Sequence, residues 1–181
     1  MKKFLITTGG SGGHVIPATI LYDHLIENNK IIISTDNRGL KFLNHNQYQF
    51  EIIDTPKLGN IFILPFSLIK ILFLFFKSFF LLKNKKIEKI FSTGGYMSLP
   101  IILAGRLLNL RIFLLEPNLV LGRANKFFLN FCEKIFCYTD KIKKFPNKYK
   151  DKIVIINPLV KKEFYEKNIN ENKNDKFTIL V

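Results

Sequence analysis

The stretch Lys2–Pro17, KKFLITTGGSGGHVIP, constrains the fold of this chain more than any other. An apolar run from Phe4 to Thr8 predicts a strand, five residues containing four glycines follow, and a helix is expected to begin near Pro17. A strand, loop and helix in this order form a cradle for an anion. Glycine allows positive φ and close backbone approach, and the unpaired N–H groups at the positive end of a helix favour phosphate. The loop ends in His14, its one side chain able to move a proton near neutral pH. A dinucleotide fingerprint started from Gly10 needs glycine where Val15 stands, so Asp36 loses the ribose-binding role that pattern would give it. No Gly-Lys-Ser or Gly-Lys-Thr follows either, which excludes a Walker A loop. A phosphate loop carrying a histidine remains.

Strand and helix signals then alternate along the chain. Ala18, Leu21, Tyr22 and Leu25 form a helical stripe that Asn28 and Asn29 are expected to end. Ile31–Thr35 and Phe50–Ile53 read as buried strands, separated by a polar helix or loop containing His45. KIEKIFSTGGYMSLPIILAGRLLNL predicts a strand, a second glycine turn at Gly94 and Gly95, and a helix from about Met97 to Asn109. RIFLLEPN is a further strand running into Glu116, Pro117 and Asn118. GRANKFFLNFC reads as a helix, and KIFCYT and KIVIIN as two last strands. Such alternation predicts an α/β fold, a Rossmann-like doubly wound parallel sheet with ligands at the carboxyl ends of its strands. Those ends carry GGSGGH, TGGY and EPN.

Ile61–Leu82, IFILPFSLIKILFLFFKSFFLL, is long enough to raise the question of a membrane span. Pro65 interrupts it, Lys70 and Lys77 share a face, and Ser67 and Ser78 are expected to extend that polar stripe. The helix is expected either to pack into the core or to lie in a membrane interface. In the second case Phe73, Phe76 and Phe80 enter the lipid, while Lys70 and Lys77, continued by Lys83, Lys85 and Lys86, face headgroups.

A formal charge of +14, from 28 Lys and Arg against 14 Asp and Glu, suits anionic partners. No basic stretch interleaved with aromatics points to nucleic acid. Cys132 and Cys137 match neither a CxxC redox pair nor a zinc site. From Lys161 to Lys176 the chain turns to Lys, Glu and Asn, a linker by composition, and FTILV reads as the opening strand of a second domain cut short. The expected division is therefore 1–160, a linker 161–176, and a first strand 177–181.

Together these turns resemble the MurG family of bacterial glycosyltransferases. TTGGSGGHVIPA is similar to its first glycine loop, STGGYMSLP to its second, EPNLVLGRANK to its HEQN segment and downstream helix, and INPLV to its GNPVR strand end. The resemblance runs in order from residue 1 to about Val160. It implies a GT-B fold, with this chain as the N-terminal, acceptor-side domain and a donor domain to follow. It also implies an inverting transfer of N-acetylglucosamine from UDP-N-acetylglucosamine to lipid I, giving lipid II for peptidoglycan, at the cytoplasmic face of the inner membrane. No metal or other cofactor is implied. His14 matches the loop histidine, a candidate base with a structural or pyrophosphate-contacting role as the alternative. Ser11, Gly12, Gly13 and Asn118 match nucleotide-sugar contacts. Gly94, Gly95, Tyr96 and Glu116 fall where the acceptor pyrophosphate is held. Other cell-wall synthesis enzymes would be further partners.

The sequence departs from the family at Leu115 and Pro117, which replace the histidine and glutamine flanking the motif's glutamate, and at Val160 or Lys161 in place of an arginine. Two rival readings stay open: a GT-B transferase using another lipid acceptor, and a non-catalytic membrane-docking half that needs a donor subunit. Under the main reading residues 1–181 alone are expected to be inactive, because a cleft enzyme needs both walls.

Overall fold

The computed structural model describes residues 1–56 and 64–166. Seven strands build one sheet: β1 (Lys2–Thr7), β2 (Asn29–Thr35), β3 (Phe50–Ile52), β4 (Lys89–Ser92), β5 (Arg111–Glu116), β6 (Lys134–Cys137) and β7 (Ile153–Ile155). All neighbours pair in parallel, in the order β3-β2-β1-β4-β5-β6-β7. The order reverses between β1 and β4. At such a switch point the loops leaving the two strands turn to opposite faces and open a crevice, and here those loops are the two glycine turns.

Side-chain alternation along the strands divides the core in two. Phe4 and Ile6 of β1, with Ile31 and Ile33 of β2, meet Val15, Ala18 and Tyr22 of α1 (Gly12–Leu25). Leu5, Ile90, Ile112 and Leu114 face the other way. They pack against α2 (Leu64–Asn84), α3 (Leu99–Leu107) and α4 (Arg123–Phe128) through Leu74, Leu82, Ile101, Ile102 and Phe128. The strands are short and largely apolar because both faces of the sheet are covered.

Three sequence expectations shift. The first helix begins at Gly12, five residues before Pro17, which sits inside it. Proline's fixed φ is helical, and the one donor it lacks would have served the carbonyl of Gly13, which is exposed to water. Asn29 belongs to β2, not to the helix end. GRANKFFLNFC is helical only as α4, Arg123–Phe128.

The long helix α2 is a layer of this fold. Pro65–Asn84 is long and apolar enough to cross a bilayer by length alone, yet Ser67, Ile71, Leu74, Ser78 and Leu82 line a buried stripe, and the helix packs along α3. The serines therefore mark the core face and do not extend the lysine stripe; small side chains let the helix approach its neighbours, and Ser78 Oγ has no hydrogen-bond partner among the described residues. Lys70 lies 3.7 Å from Asp54 and Lys77 Nζ donates to the Ile52 carbonyl at 2.9 Å, so both tie the helix to the end of β3. Phe66, Ile69, Leu72, Phe73, Phe76 and Phe80 are left facing solvent, each at least half exposed.

The start of the predicted linker is docked on the domain. His24 Nε2 donates to the Val160 carbonyl at 2.8 Å, Lys162 pairs with Glu27, and a single turn, α5 (Glu163–Glu166), follows. Residues 167–181, with the expected opening strand, lie outside the described residues, as do residues 57–63.

Candidate functional site

The two glycine turns meet where β1 and β4 end. Thr93 N–H donates to the Thr7 carbonyl at 3.2 Å, and Thr93 Oγ1 donates to Thr8 Oγ1 at 2.8 Å in the buried interior. His14, on the first turn of α1, reaches across this seam: its Nδ1 lies 2.7 Å from the Thr93 carbonyl oxygen. A carbonyl only accepts, so Nδ1 carries the proton, and the lone pair of a neutral ring sits on Nε2. Gly94 makes the approach possible. Its φ is +95°, and a Cβ there would stand 3.2 Å from His14 Cε1 and 3.3 Å from Asn125 Nδ2. Any L side chain at this position would be strained and would press on both groups.

Gly94, Gly95, Tyr96, Glu116, Asn118, Gly122, Arg123, Ala124 and Asn125 join His14 around a cleft of about 340 Å³. Its far wall is organised by Glu116 at the end of β5. The carboxylate is 3% exposed. Its Oε1 accepts from Asn118 N–H at 3.3 Å and Asn118 Nδ2 at 2.9 Å; its Oε2 accepts from Gly122 N–H at 2.8 Å and Asn125 Nδ2 at 3.1 Å. Four donors on one buried carboxylate fold the loop from 116 to 125 into a fixed wall. The same carboxylate is a poor contact for a pyrophosphate, since both are anionic acceptors and its oxygens are already filled; Glu116 shapes the wall that the ligand meets.

The structure therefore brings His14, Gly94, Gly95, Tyr96, Glu116 and Asn118 together in one cleft. Ser11, Gly12 and Gly13 stand beside it, outside its walls, at the N-terminus of α1. Ser11 is the N-cap but makes no side-chain cap, so the Gly12 and Gly13 N–H groups take no bond from its hydroxyl, the condition under which a helix start can receive an anion. Lys70, Phe73, Phe76, Lys77 and Phe80 lie on α2 and line no part of the cleft.

Two functional-looking groups escaped the sequence reading. Asn125 is 2% exposed, donates to Glu116 and, at 3.1 Å, to the Leu115 carbonyl, and leaves Oδ1 without a partner among the described residues, in the wall of the cleft. Its signal was a polar residue on the stripe Asn125, Phe128, Leu129, Cys132, which is otherwise apolar. The second group is Arg38. Buried Asp36 accepts from Gly10 N–H at 2.8 Å, Gly39 N–H at 2.9 Å and Arg38 Nε at 2.8 Å. Arg38 Nη2 donates to Tyr96 Oη at 2.5 Å. Asp36 thus pins the first glycine loop and aims a guanidinium between it and Tyr96 of the second. Cys137, at the end of β6, takes no part: burial, and then the Glu116 charge, pushes its thiol up to about 12. Burial likewise pushes Cys132 up to about 11.

Taken as chemistry, the site sets one imidazole nitrogen beside a cleft where two glycine turns meet. Known proteins similar to the chain are these. Residues 4–137 match the glycosyltransferase family 28 N-terminal domain. The chain is 50% identical over 181 residues, 99% of its own length, to a Pelagibacter ubique protein named UDP-N-acetylglucosamine--N-acetylmuramyl-(pentapeptide) pyrophosphoryl-undecaprenol N-acetylglucosamine transferase, covering 51% of that protein. A Rickettsia felis protein of the same name is 33% identical over 192 residues, with 100% of this chain and 52% of that protein aligned. Among solved structures, the MurG of Acinetobacter baumannii superposes with a TM-score of 0.72 at 25% identity, over 86% of this chain and 45% of that one. The chain spans about half the length of the curated relatives it matches.

Proposed function

This chain belongs to the family of glycosyltransferase family 28 N-terminal domains, and from that premise we propose that it forms the acceptor-side half of an enzyme moving N-acetylglucosamine from UDP-N-acetylglucosamine to lipid I. The observation that carries this reading is His14 held by the Thr93 carbonyl at 2.7 Å, with its other ring nitrogen beside the cleft that the second glycine turn lines. The sugar hydroxyl of the acceptor attacks the anomeric carbon of the donor. As that C–O bond forms, the bond from the anomeric carbon to the UDP phosphate breaks, and the hydroxyl proton passes to His14 Nε2. Departing UDP takes the electron pair of the broken bond. The N–H groups at Ser11, Gly12 and Gly13 and the Arg38 guanidinium supply positive potential near the reacting diphosphates. Gly94, Gly95 and Tyr96 cradle the acceptor pyrophosphate, and Asn118, oriented by Glu116, faces the donor.

The test is glycosyl transfer from UDP-N-acetylglucosamine to a lipid I analogue by this chain extended to the full length of its relatives. Transfer with inversion is expected. A folded full-length protein that is inert with lipid I but active on another lipid-linked sugar would overturn the acceptor assignment.

The exposed apolar face of α2 docks the protein peripherally on the cytoplasmic face of the inner membrane, where a lipid-linked acceptor resides. Phe73, Phe76 and Phe80 enter the interface, and Lys83, Lys85 and Lys86 at the helix end meet anionic headgroups. Replacing Phe73 and Phe76 together by Ser lowers the partition coefficient onto anionic vesicles at least about tenfold, given the transfer energy of aromatic side chains. Unchanged vesicle binding in a sedimentation assay would refute this. The phenylalanines are a cleaner test than Lys70→Glu or Lys77→Glu, because those lysines also fasten the helix to β3.

A further inference from the structure

A second cavity, of about 320 Å³, opens between the start of α3 and the outer side of α4. Tyr96, Leu99, Arg123, Ala124, Phe127 and Phe128 line it, and its wall is almost wholly apolar. Tyr96, Arg123 and Ala124 also line the polar cleft, so the two cavities share a neck. Phe127 is half exposed at its rim, stacked edge-on to Phe131 at 5.6 Å. At the neck, Arg123 makes no hydrogen bond or ion pair among the described residues, which leaves its charge available to a ligand.

A polar chamber joined through an unpaired cation to an apolar groove fits one kind of molecule: an anion linked directly to a hydrocarbon chain. The sugars and diphosphate of a nucleotide donor would leave their polar groups unpaired against apolar walls, which could serve its base alone, and a peptide would leave its backbone groups unpaired there. The direction of the groove agrees. It lies on the same face of the sheet as α2 and α3, with Leu99 and Phe128 belonging to the packed layer that includes the buried side of α2. A lipid chain rising from a membrane under α2 therefore meets the groove on that face.

We infer that the groove between Leu99 and Phe127 binds the first isoprene units of the acceptor's polyprenyl chain, with Arg123 at the neck against its diphosphate. The inference rests on the acceptor reading above and adds to it a subsite for the tail. Branched isoprene units fill an irregular aromatic groove better than a straight alkyl chain, so the enzyme selects for the tail as well as the head.

The experiment uses the full-length enzyme and three soluble acceptors with the same diphosphate, sugar and peptide: one with a short isoprenyl tail, one with a straight alkyl tail of equal carbon number, and one with a methyl group alone. For the unaltered enzyme, kcat/KM is expected to favour the isoprenyl acceptor over the alkyl one by about tenfold. Phe127→Glu, and Phe127→Ser as a smaller second variant, should remove that preference while rates on the methyl acceptor stay within about twofold, because Phe127 is outside the polar cleft. Equal loss on all three acceptors, or no tail preference in the unaltered enzyme, overturns the groove assignment alone. So does a Phe127→Ser variant that loses only vesicle binding, which would give the groove to bulk lipid. No transfer to any of the three overturns the acceptor reading, and this inference with it.

Discussion

His14→Ala in the full-length enzyme is expected to lower kcat by about 10²- to 10⁴-fold while KM for UDP-N-acetylglucosamine changes little. The size follows from what the ring does. With Nδ1 fixed as a donor to the Thr93 carbonyl at 2.7 Å, Nε2 is the one ring atom able to take a proton, and it stays in one orientation without cost at each turnover. His14→Gln separates the roles: an amide can still bond to a carbonyl or a phosphate but cannot take a proton. If the ring serves as base, both variants fall together in kcat. If it only contacts pyrophosphate, Gln retains turnover and the change appears in substrate affinity, an outcome that would remove His14 from the chemistry. Steady-state kinetics with each substrate varied in turn decides between them.

Glu116→Ala is expected to cost about 2–4 kcal/mol of folding stability, since hydrogen bonds to a charged acceptor contribute about 1.5–3 kcal/mol each and water replaces some of them. Four donors lose their acceptor at once, the N–H groups of Asn118 and Gly122 and the amides of Asn118 and Asn125; water can replace it at exposed Asn118 and Gly122, but not readily at the buried Asn125 amide. Glu116→Gln keeps the volume but turns one acceptor oxygen into a donor facing other donors, for about 1–3 kcal/mol. Urea unfolding with an unchanged m-value is the measurement. A loss below about 1 kcal/mol for Glu116→Ala would mean that the loop from 116 to 125 is held by its apolar contacts instead. Because the same four bonds set the far wall of the cleft, the Gln variant should also be a slower enzyme than its residual stability explains.

Much of this was legible in the sequence because periodicity and glycine spacing are local signals. Every predicted strand from Phe4 to the KIVIIN segment appears, and the two glycine turns converge as the alternation of strand and helix required. What escaped depended on contacts between distant residues. The failed dinucleotide pattern leaves Asp36 without a role in the sequence, yet it is wholly buried and pins Gly10; its task is to hold the loop, not to read a ribose. Ser67 and Ser78 read as part of the lysine stripe because both residue types are polar. Helical spacing, taken literally, puts the serines in line with Ile71, Leu74 and Leu82. Asn125 lies inside a segment that reads only as helix, and nothing local says that its partner in the folded wall is a buried carboxylate.

The bond from His14 to the Thr93 carbonyl joins residues 79 apart in the chain. No fragment of local structure can form it, because it exists only when β4 has come to rest against β1, after a loop of that length has closed. Closing a loop of that length costs chain entropy before any contact offsets it. The anchoring of the His14 ring beside the cleft is therefore a property the nascent domain acquires only once β4 is in place. A partly folded chain with α1 and its glycine loop already formed would carry the His14 ring without the contact that orients it.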